Sequence, residues 1–220
     1  MHAFLAPRPA ATGHLVSQRL ATAAQTALAC SVALGAVLHV GWSEQVDPVG
    51  QTLSDYALHE GAERLFAACV GAAATGSVAL LGGLLRSRLP VGRVAPAALG
   101  VGGVGLVLSA VFRTDPAGSS PSVSGLVHRH AAGAALAALP TAGLLLSRRL
   151  PRTRRILLLS RASSAAALLF LGTHLCASRP DTPTAAKVAG LLGLAERVTL
   201  GLEVALLFAM ADALPGGQHR

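Results

Sequence analysis

The sequence predicts an all-α integral membrane protein, a single bundle of six spanning helices with both termini on the cytoplasmic side. Three observations carry that expectation. The 220 residues are 52% apolar and only 13% charged, with mean hydropathy +0.57, whereas soluble domains carry about 25% charged residues. Six apolar runs of about 20 residues follow one another, each long enough as helix to cross about 30 Å of hydrocarbon. The basic residues gather in short clusters between those runs, as orientation charges do. Nucleic-acid binding, which the net charge of +8 could suggest, requires basic residues on one solvated face or helix, and the expected partner is instead the lipid bilayer.

Residues 1–19 are polar and mixed, with Arg8 and Arg19, and are expected to form a poorly ordered cytoplasmic segment. The transmembrane domain is expected over 20–215 and a short cytoplasmic tail over 216–220. The first run, about Ala21 to Trp42, exceeds the roughly 7–15 residues of a secretory signal core. It ends on a tryptophan, an aromatic suited to the membrane interface. A polar loop from Ser43 to Ala62 holds Glu44, Asp47, Ser54, Asp55, Tyr56 and Glu60.

The second run, about Glu63 to Leu85, is followed by Arg86, Arg88 and Arg93. The third, about Val94 to Phe112, leads into the turn R-T-D-P-A-G-S-S-P-S-V-S-G-L-V-H-R-H at 113–130, the densest mixture of polar groups in the chain. The fourth run, about Leu126 to Ser147, ends in R-R-L-P-R-T-R-R at 148–155. The fifth spans about Ile156 to Cys176, and a loop with Arg179, Asp181 and Lys187 leads to the sixth, about Leu194 to Leu214.

With six spans, alternate loops set the orientation. Arg8, Arg19, Arg86, Arg88, Arg93, Arg148, Arg149, Arg152, Arg154, Arg155, Arg161 and Arg220 fall on the side of the termini. Arg64, Arg113, Arg129, Arg179, Lys187 and Arg197 fall on the other. Twelve against six places the termini in the cytoplasm by the positive-inside rule. Nine of the ten acids lie on or near the outer side, Asp212 being the exception. The use of arginine over lysine, the absence of asparagine and the single isoleucine fit a GC-rich bacterial genome.

The literal G-x-G-x-x-G at 100–105 lies inside a membrane-length run, without the strand that a dinucleotide site needs before it. Small residues that let helices approach closely explain it better, as they do Ala72 and Gly76. Cys30, Cys69 and Cys176 show no metal-ligand or disulfide spacing. No cofactor is expected. His128, Asp115 and His174 could form three ligands of a metal site only without any recognised spacing, and no metal is expected either.

The polar residues that remain are unevenly placed. Ser54, Asp55, Arg113, Asp115, His128, Arg129, His130, His174, Glu196, Arg197 and Glu203 all lie in outer loops or toward the outer ends of helices. Glu196, Thr199 and Glu203 share one face of the sixth run, with Glu203 about two turns deep. A charge at that depth is costly unless it is paired or meets water, so Glu203 should face the bundle interior.

Two arrangements account for the clustering, and they are compatible. One is a structural network tying loops to helix ends. The other is an outer-leaflet pocket in which Ser54, Arg113, Arg197, Glu196 and Glu203 bind a small polar molecule or lipid headgroup. Such a pocket suits a role in transport, in sensing or as an accessory subunit. Arg113, Arg129 and Arg197 could then hold an anionic group by bidentate hydrogen bonds.

The alternative is a membrane-embedded enzyme acting on a lipid or isoprenoid substrate through Asp55, Asp115 and His128. A histidine exchanges protons near neutral pH, and a carboxylate can orient it. In either case Ser54 or Asp55, Arg113, Asp115, His128 and Arg197 are expected to converge at the outer end. Asp115 could instead cap the turn through backbone N–H groups.

Three short stretches also match, in order, a known pattern. L-S-D-Y-A-L at 53–58 precedes the second run, V-F-R-T-D-P at 111–116 is followed by S-G-L-V-H at 124–128, and G-L-A-E-R-V at 193–198 opens the last run. With six spans in this length, the chain resembles the bacterial membrane family catalogued as domain of unknown function 998. That resemblance singles out Ser54, Asp55, Asp115, Pro116, His128 and Arg197. Ser124 stands where the family often has a histidine. The resemblance implies fold and topology and brings no reaction with it.

Overall fold

The described residues form seven α-helices and one 3-10 turn, six of the helices on the six apolar runs, and no strand occurs among them. The computed structural model describes residues 9–87, 89–151 and 153–214, with side chains from Leu15 onward. The expectations for residues 1–8 and the 216–220 tail, and for Arg8, Arg88, Arg152 and Arg220, lie outside the described residues.

The helices are α1 (Pro9–Gly41), α2 (Ala62–Arg86), α3 (Val94–Val111), α4 (Val123–Ser147), α5 (Arg154–Ser178), α6 (Pro183–Ala189) and α7 (Leu192–Asp212), with the 3-10 turn at Leu53–Leu58. Helix α1 starts at Pro9, so the described part of the 1–19 segment is helical rather than irregular. Proline is well placed at a helix start, where its missing N–H needs no partner, and the alanines, Gln18 and Arg19 that follow are good helix formers. The short α6 falls in a stretch that reads as loop. Thr182 caps it by accepting from Ala185 N at 3.1 Å, and Pro183 opens it.

Each long helix packs against the next, α1 on α2 through to α4 on α5, and α7 closes the bundle against α5 while touching α1, α2 and α4. Short connections force antiparallel neighbours. The packing depends on small residues at crossings. A Cβ on Gly105 would stand 2.6 Å from the carbonyl oxygen of Ala131, and one on Gly76 would stand 2.9 Å from Leu28 Cγ. Gly102 meets Leu139 in the same way. Gly102 and Gly105 are therefore the α3–α4 contact, while Gly100 and Gly103 face Leu81, Ser77 and Val78 of α2, as close helix packing requires.

Two apolar clusters form the core. One holds Leu28, Leu80, Leu99, Leu139, Leu206 and Met210 among others, and the other holds Leu38, Val46, Tyr56, Ala62, Phe66 and Cys69. Outward faces stay apolar as well, with Val104, Leu168 and Leu169 well exposed, which suits a surface bathed by hydrocarbon.

Five helices are long and apolar enough to cross a membrane: α1 over Leu15–Gly41, α2, α3, α4 and α5. Helix α7 is not among them, because Glu196, Arg197 and Glu203 fall within any 18-residue stretch of it or are joined there by Asp212. It nonetheless runs from one end of the bundle to the other. At the end nearest the N-terminus of α1, Asp212 accepts from Gln25 Nε2 at 2.7 Å and pairs with Arg155 at 3.4 Å, and Ser17 donates to the Gly83 carbonyl. Glu196 and Arg197 mark the opposite end, called the polar end below.

Candidate functional site at the polar end

The polar end is assembled from the loop 43–61, the turn 112–122 and the first turns of α7. The loop is a sequence of local caps. Asp47 accepts from the N–H groups of Val49 (3.1 Å) and Gly50 (2.9 Å), so it tightens a turn. Asp55 accepts from Thr52 N (2.6 Å) and Thr52 Oγ1 (2.9 Å), forming the capping box that starts the 3-10 turn. Ser54 Oγ lies 2.9 Å from Thr52 Oγ1. Ser54 and Asp55 are thus held within their own loop.

That loop is docked on α7 through backbone groups. Leu194 N donates to the Val49 carbonyl at 2.9 Å, Arg197 Nη1 to the Gln51 carbonyl at 2.6 Å, and Leu53 N to the Glu196 carboxylate. Gly193 makes this possible, since a Cβ there would overlap the Gln51 carbonyl oxygen. Arg197 also donates through Nε to His39 Nε2 at 2.7 Å. His39 Nδ1 lies 2.7 Å from the Gly35 carbonyl, which can only accept. The proton therefore sits on Nδ1, leaving Nε2 as the acceptor Arg197 needs. Tyr56 packs edge-on against His39, with ring centroids 5.5 Å apart.

The α3–α4 turn is a second unit. Asp115 accepts from Ser122 N (2.9 Å) and Ser122 Oγ (2.6 Å), while Ser122 Oγ accepts from Gly125 N (3.0 Å) as the N-cap of α4. The carboxyl is held below the ordinary aspartate range, chiefly by those two Ser122 bonds, with the nearby Arg129 and His128 lowering it further. Gly125 leaves the space that Asp115 occupies, since a Cβ there would fall on the carboxylate. Gly118 turns the chain at φ 77 and Ser119 N donates to Pro116 O at 3.2 Å. His128 is buried, with Nδ1 between the carbonyls of Ser109 (3.1 Å) and Phe112 (2.9 Å). Its ring packs against Phe66. Arg129 and His130 point outward from the same helix turn.

The two units meet at the 3-10 turn, where Arg113 Nη2 donates to the Ala57 carbonyl at 3.3 Å. Ser54, Asp55, Arg113, Asp115, His128, Glu196 and Arg197 therefore share one end of the bundle, as expected, but no arginine there pairs with an aspartate. Among the described residues the single ion pair within 4 Å is Arg155 with Asp212, at the other end. Local caps outcompete long-range pairing, because Asp55 and Asp115 each have backbone N–H groups within a few residues. No hydrogen bond joins Asp55 or Asp115 to His128, and no three His, Cys, Asp or Glu side chains among the described residues are placed to share a metal ion.

What distinguishes the polar end chemically is a set of buried polar atoms without hydrogen-bond partners among the described residues: Tyr56 Oη, Glu63 Oε2 and Arg197 Nη2. Tyr56 is fully buried. Such atoms are costly to leave unsatisfied. His39, Gln51 and Glu63 were not legible as site residues. Only a polar side chain in the last turn of an apolar run hints at His39, and nothing local marks the Gln51 carbonyl.

A family model described as "Protein of unknown function (DUF998)" matches residues 26–212. No curated protein matches the chain, and no solved structure does.

Proposed function

The chain belongs to the DUF998 family, a membrane-type helical family of unassigned activity, and within it we propose a protein whose polar end binds the anionic headgroup of a lipid or a small polar molecule of the same chemistry. The proposal includes α7 as a sixth span, with termini in the cytoplasm and the polar end at the outer leaflet of a cell membrane. The positive-inside count supports that orientation.

One observation carries the binding role. Arg197 is a partly buried guanidinium with no carboxylate oxygen within 4 Å and an unpartnered Nη2, and the His39 that holds its Nε also packs against the ring of Tyr56, whose fully buried hydroxyl is unpartnered as well. A phosphate or carboxylate oxygen accepts from both. Glu63 Oε2, an acceptor at the edge of the same apolar cluster, suits a headgroup that also carries an ammonium or hydroxyl donor. His39 fixes the guanidinium through Nε, so the free edge is oriented before anything binds.

The test is thermal melting of the full chain in detergent during titration with phosphatidylglycerol, with glycerol phosphate and with uncharged diacylglycerol. Phosphatidylglycerol, or glycerol phosphate if the ligand is free, should raise Tm, while diacylglycerol should not. Tyr56→Phe removes only the unpartnered hydroxyl, so it should weaken the response while leaving the unliganded Tm at least as high. Arg197→Gln should weaken binding about tenfold or more, since hydrogen bonds to charged groups contribute about 1.5–3 kcal/mol. Equal responses in wild type and both variants would exclude the site.

A further inference from the structure

Ten polar side chains are buried among the described residues, and eight have partners. Ser77, Ser109, Ser160, Thr173 and Thr199 each donate to a carbonyl three or four residues earlier in their own helix, at 2.7–3.0 Å. Ser17 donates to Gly83 O, Ser31 meets Cys69, and His128 has its two carbonyls. The two without a partner are Ser163 on α5, at Oγ, and Glu203 on α7, at Oε1.

These two stand at one level of the bundle. Ser160 of α5, Gly143 of α4 and Leu206 of α7 meet at one point, since both side chains crowd the position of a Cβ on Gly143. Helices α5 and α7 are antiparallel neighbours. Ser163 lies three residues beyond Ser160, and Glu203 three residues before Leu206. Both are therefore displaced by about 4.5 Å along the axis toward the polar end. Ser163 is also the one buried serine or threonine that forgoes a hydrogen bond within the described structure.

No charge compensates Glu203. On the helices packed against α7, the facing stretches Thr26–Leu38 of α1, Ala131–Gly143 of α4 and Ala162–Thr173 of α5 hold no Asp, Glu, His, Lys or Arg. The titratable side chains there are the exposed Cys30 and, on α2, Cys69, which is engaged with Ser31. On α7 itself, Arg197 lies nearly two turns away and is held by His39 and Gln51. An ionised carboxylate in such a place is very unfavourable, and a proton removes the charge.

We propose that Glu203 and Ser163 form a proton-binding site in the interior of the bundle. Glu203 carries the proton as a neutral carboxylic acid, and Ser163 Oγ is the unpartnered hydroxyl at its level on the neighbouring helix. The Glu196–Thr199–Glu203 face of α7 leads from the polar end to this acid, so proton exchange occurs from that end. A mid-bundle acid of this kind is what coupling a proton to the movement of another molecule requires. The inference does not depend on anion binding at Arg197.

Dicyclohexylcarbodiimide tests it, because this apolar reagent reacts with a carboxyl that still carries its proton. The full chain in detergent is treated across a pH series, and adducts are located by peptide mass spectrometry. The expected result is an adduct at Glu203 and none at the exposed Glu44 or Asp47, with labelling that declines as pH rises. Ser163→Ala should displace the pH profile of labelling.

A folded wild type without an adduct at Glu203 at any pH would overturn the site, and an unchanged profile in Ser163→Ala would remove Ser163 from it. Infrared difference spectra of wild type against Glu203→Gln give an independent reading. A carboxylic-acid carbonyl band at neutral pH supports the proposal, and carboxylate bands alone overturn it.

Discussion

At the residue scale, the polar end shows how local hydrogen bonds decide what an acidic side chain does. Asp115 bonds both the backbone and the hydroxyl of Ser122, and Ser122 in turn caps α4. The ionised carboxylate is the form that accepts these bonds, so its affinity for a proton is lowered in the folded state. The sign follows from linkage. A depressed carboxyl contributes stability that is fully present above the ordinary aspartate range and is lost as pH falls through that range toward the folded value. Asp115→Asn should therefore lower Tm at neutral pH and make the acid limb of the Tm–pH curve shallower than in wild type below about pH 4. Parallel curves for the two proteins would show that the Ser122 bonds do not favour the ionised form.

At the element scale, the 43–61 loop is shaped by its own caps and docked on α7 by three hydrogen bonds. Glu196 accepts the first N–H of the 3-10 turn, Arg197 donates to Gln51 O, and Gly193 allows the two backbones to touch. Glu196→Ala would leave the Leu53 N–H without a partner, a cost of about 1–3 kcal/mol. The expected outcome is faster amide hydrogen exchange across residues 47–58, with exchange in the 113–122 turn unchanged because its bonds are internal. Equal acceleration in both segments would mean that the two units open together. The stretch 193–198, read from sequence as the opening of a helix, is thus also the seat on which another loop rests.

At the scale of the whole molecule, helix order and antiparallel packing put Ser119 and Thr153 at opposite ends of the bundle. Ser119 lies with the α3–α4 turn, and Thr153 lies between α4 and α5 beside the end that holds Asp212. In a background lacking Cys30, Cys69 and Cys176, a cysteine at 119 should react with an impermeant thiol reagent from outside intact cells, and one at 153 only after lysis. Labelling of both from one side would break the proposed topology, including the sixth span that α7 supplies.

Composition and run length determine the helical membrane class, and of the six spans that the apolar runs predict, five are helices long and apolar enough to cross a membrane, while the sixth run gives the bounds of α7 to within a few residues. Hydrophobic length is a local property, and lipid acts on every stretch in the same way. Gathering of the polar residues at one end was also legible, because antiparallel helices bring alternate loops together. Partners were not legible. Ser54, Asp55 and Asp115 chose nearby backbone donors, while Arg197 found a histidine on α1 and a carbonyl in a loop. Ser163 and Glu203 came to one level only through the register of α5 on α7. That register is set by which small residues and leucines interlock across helix surfaces, a property of pairs of distant residues that no single stretch of sequence contains.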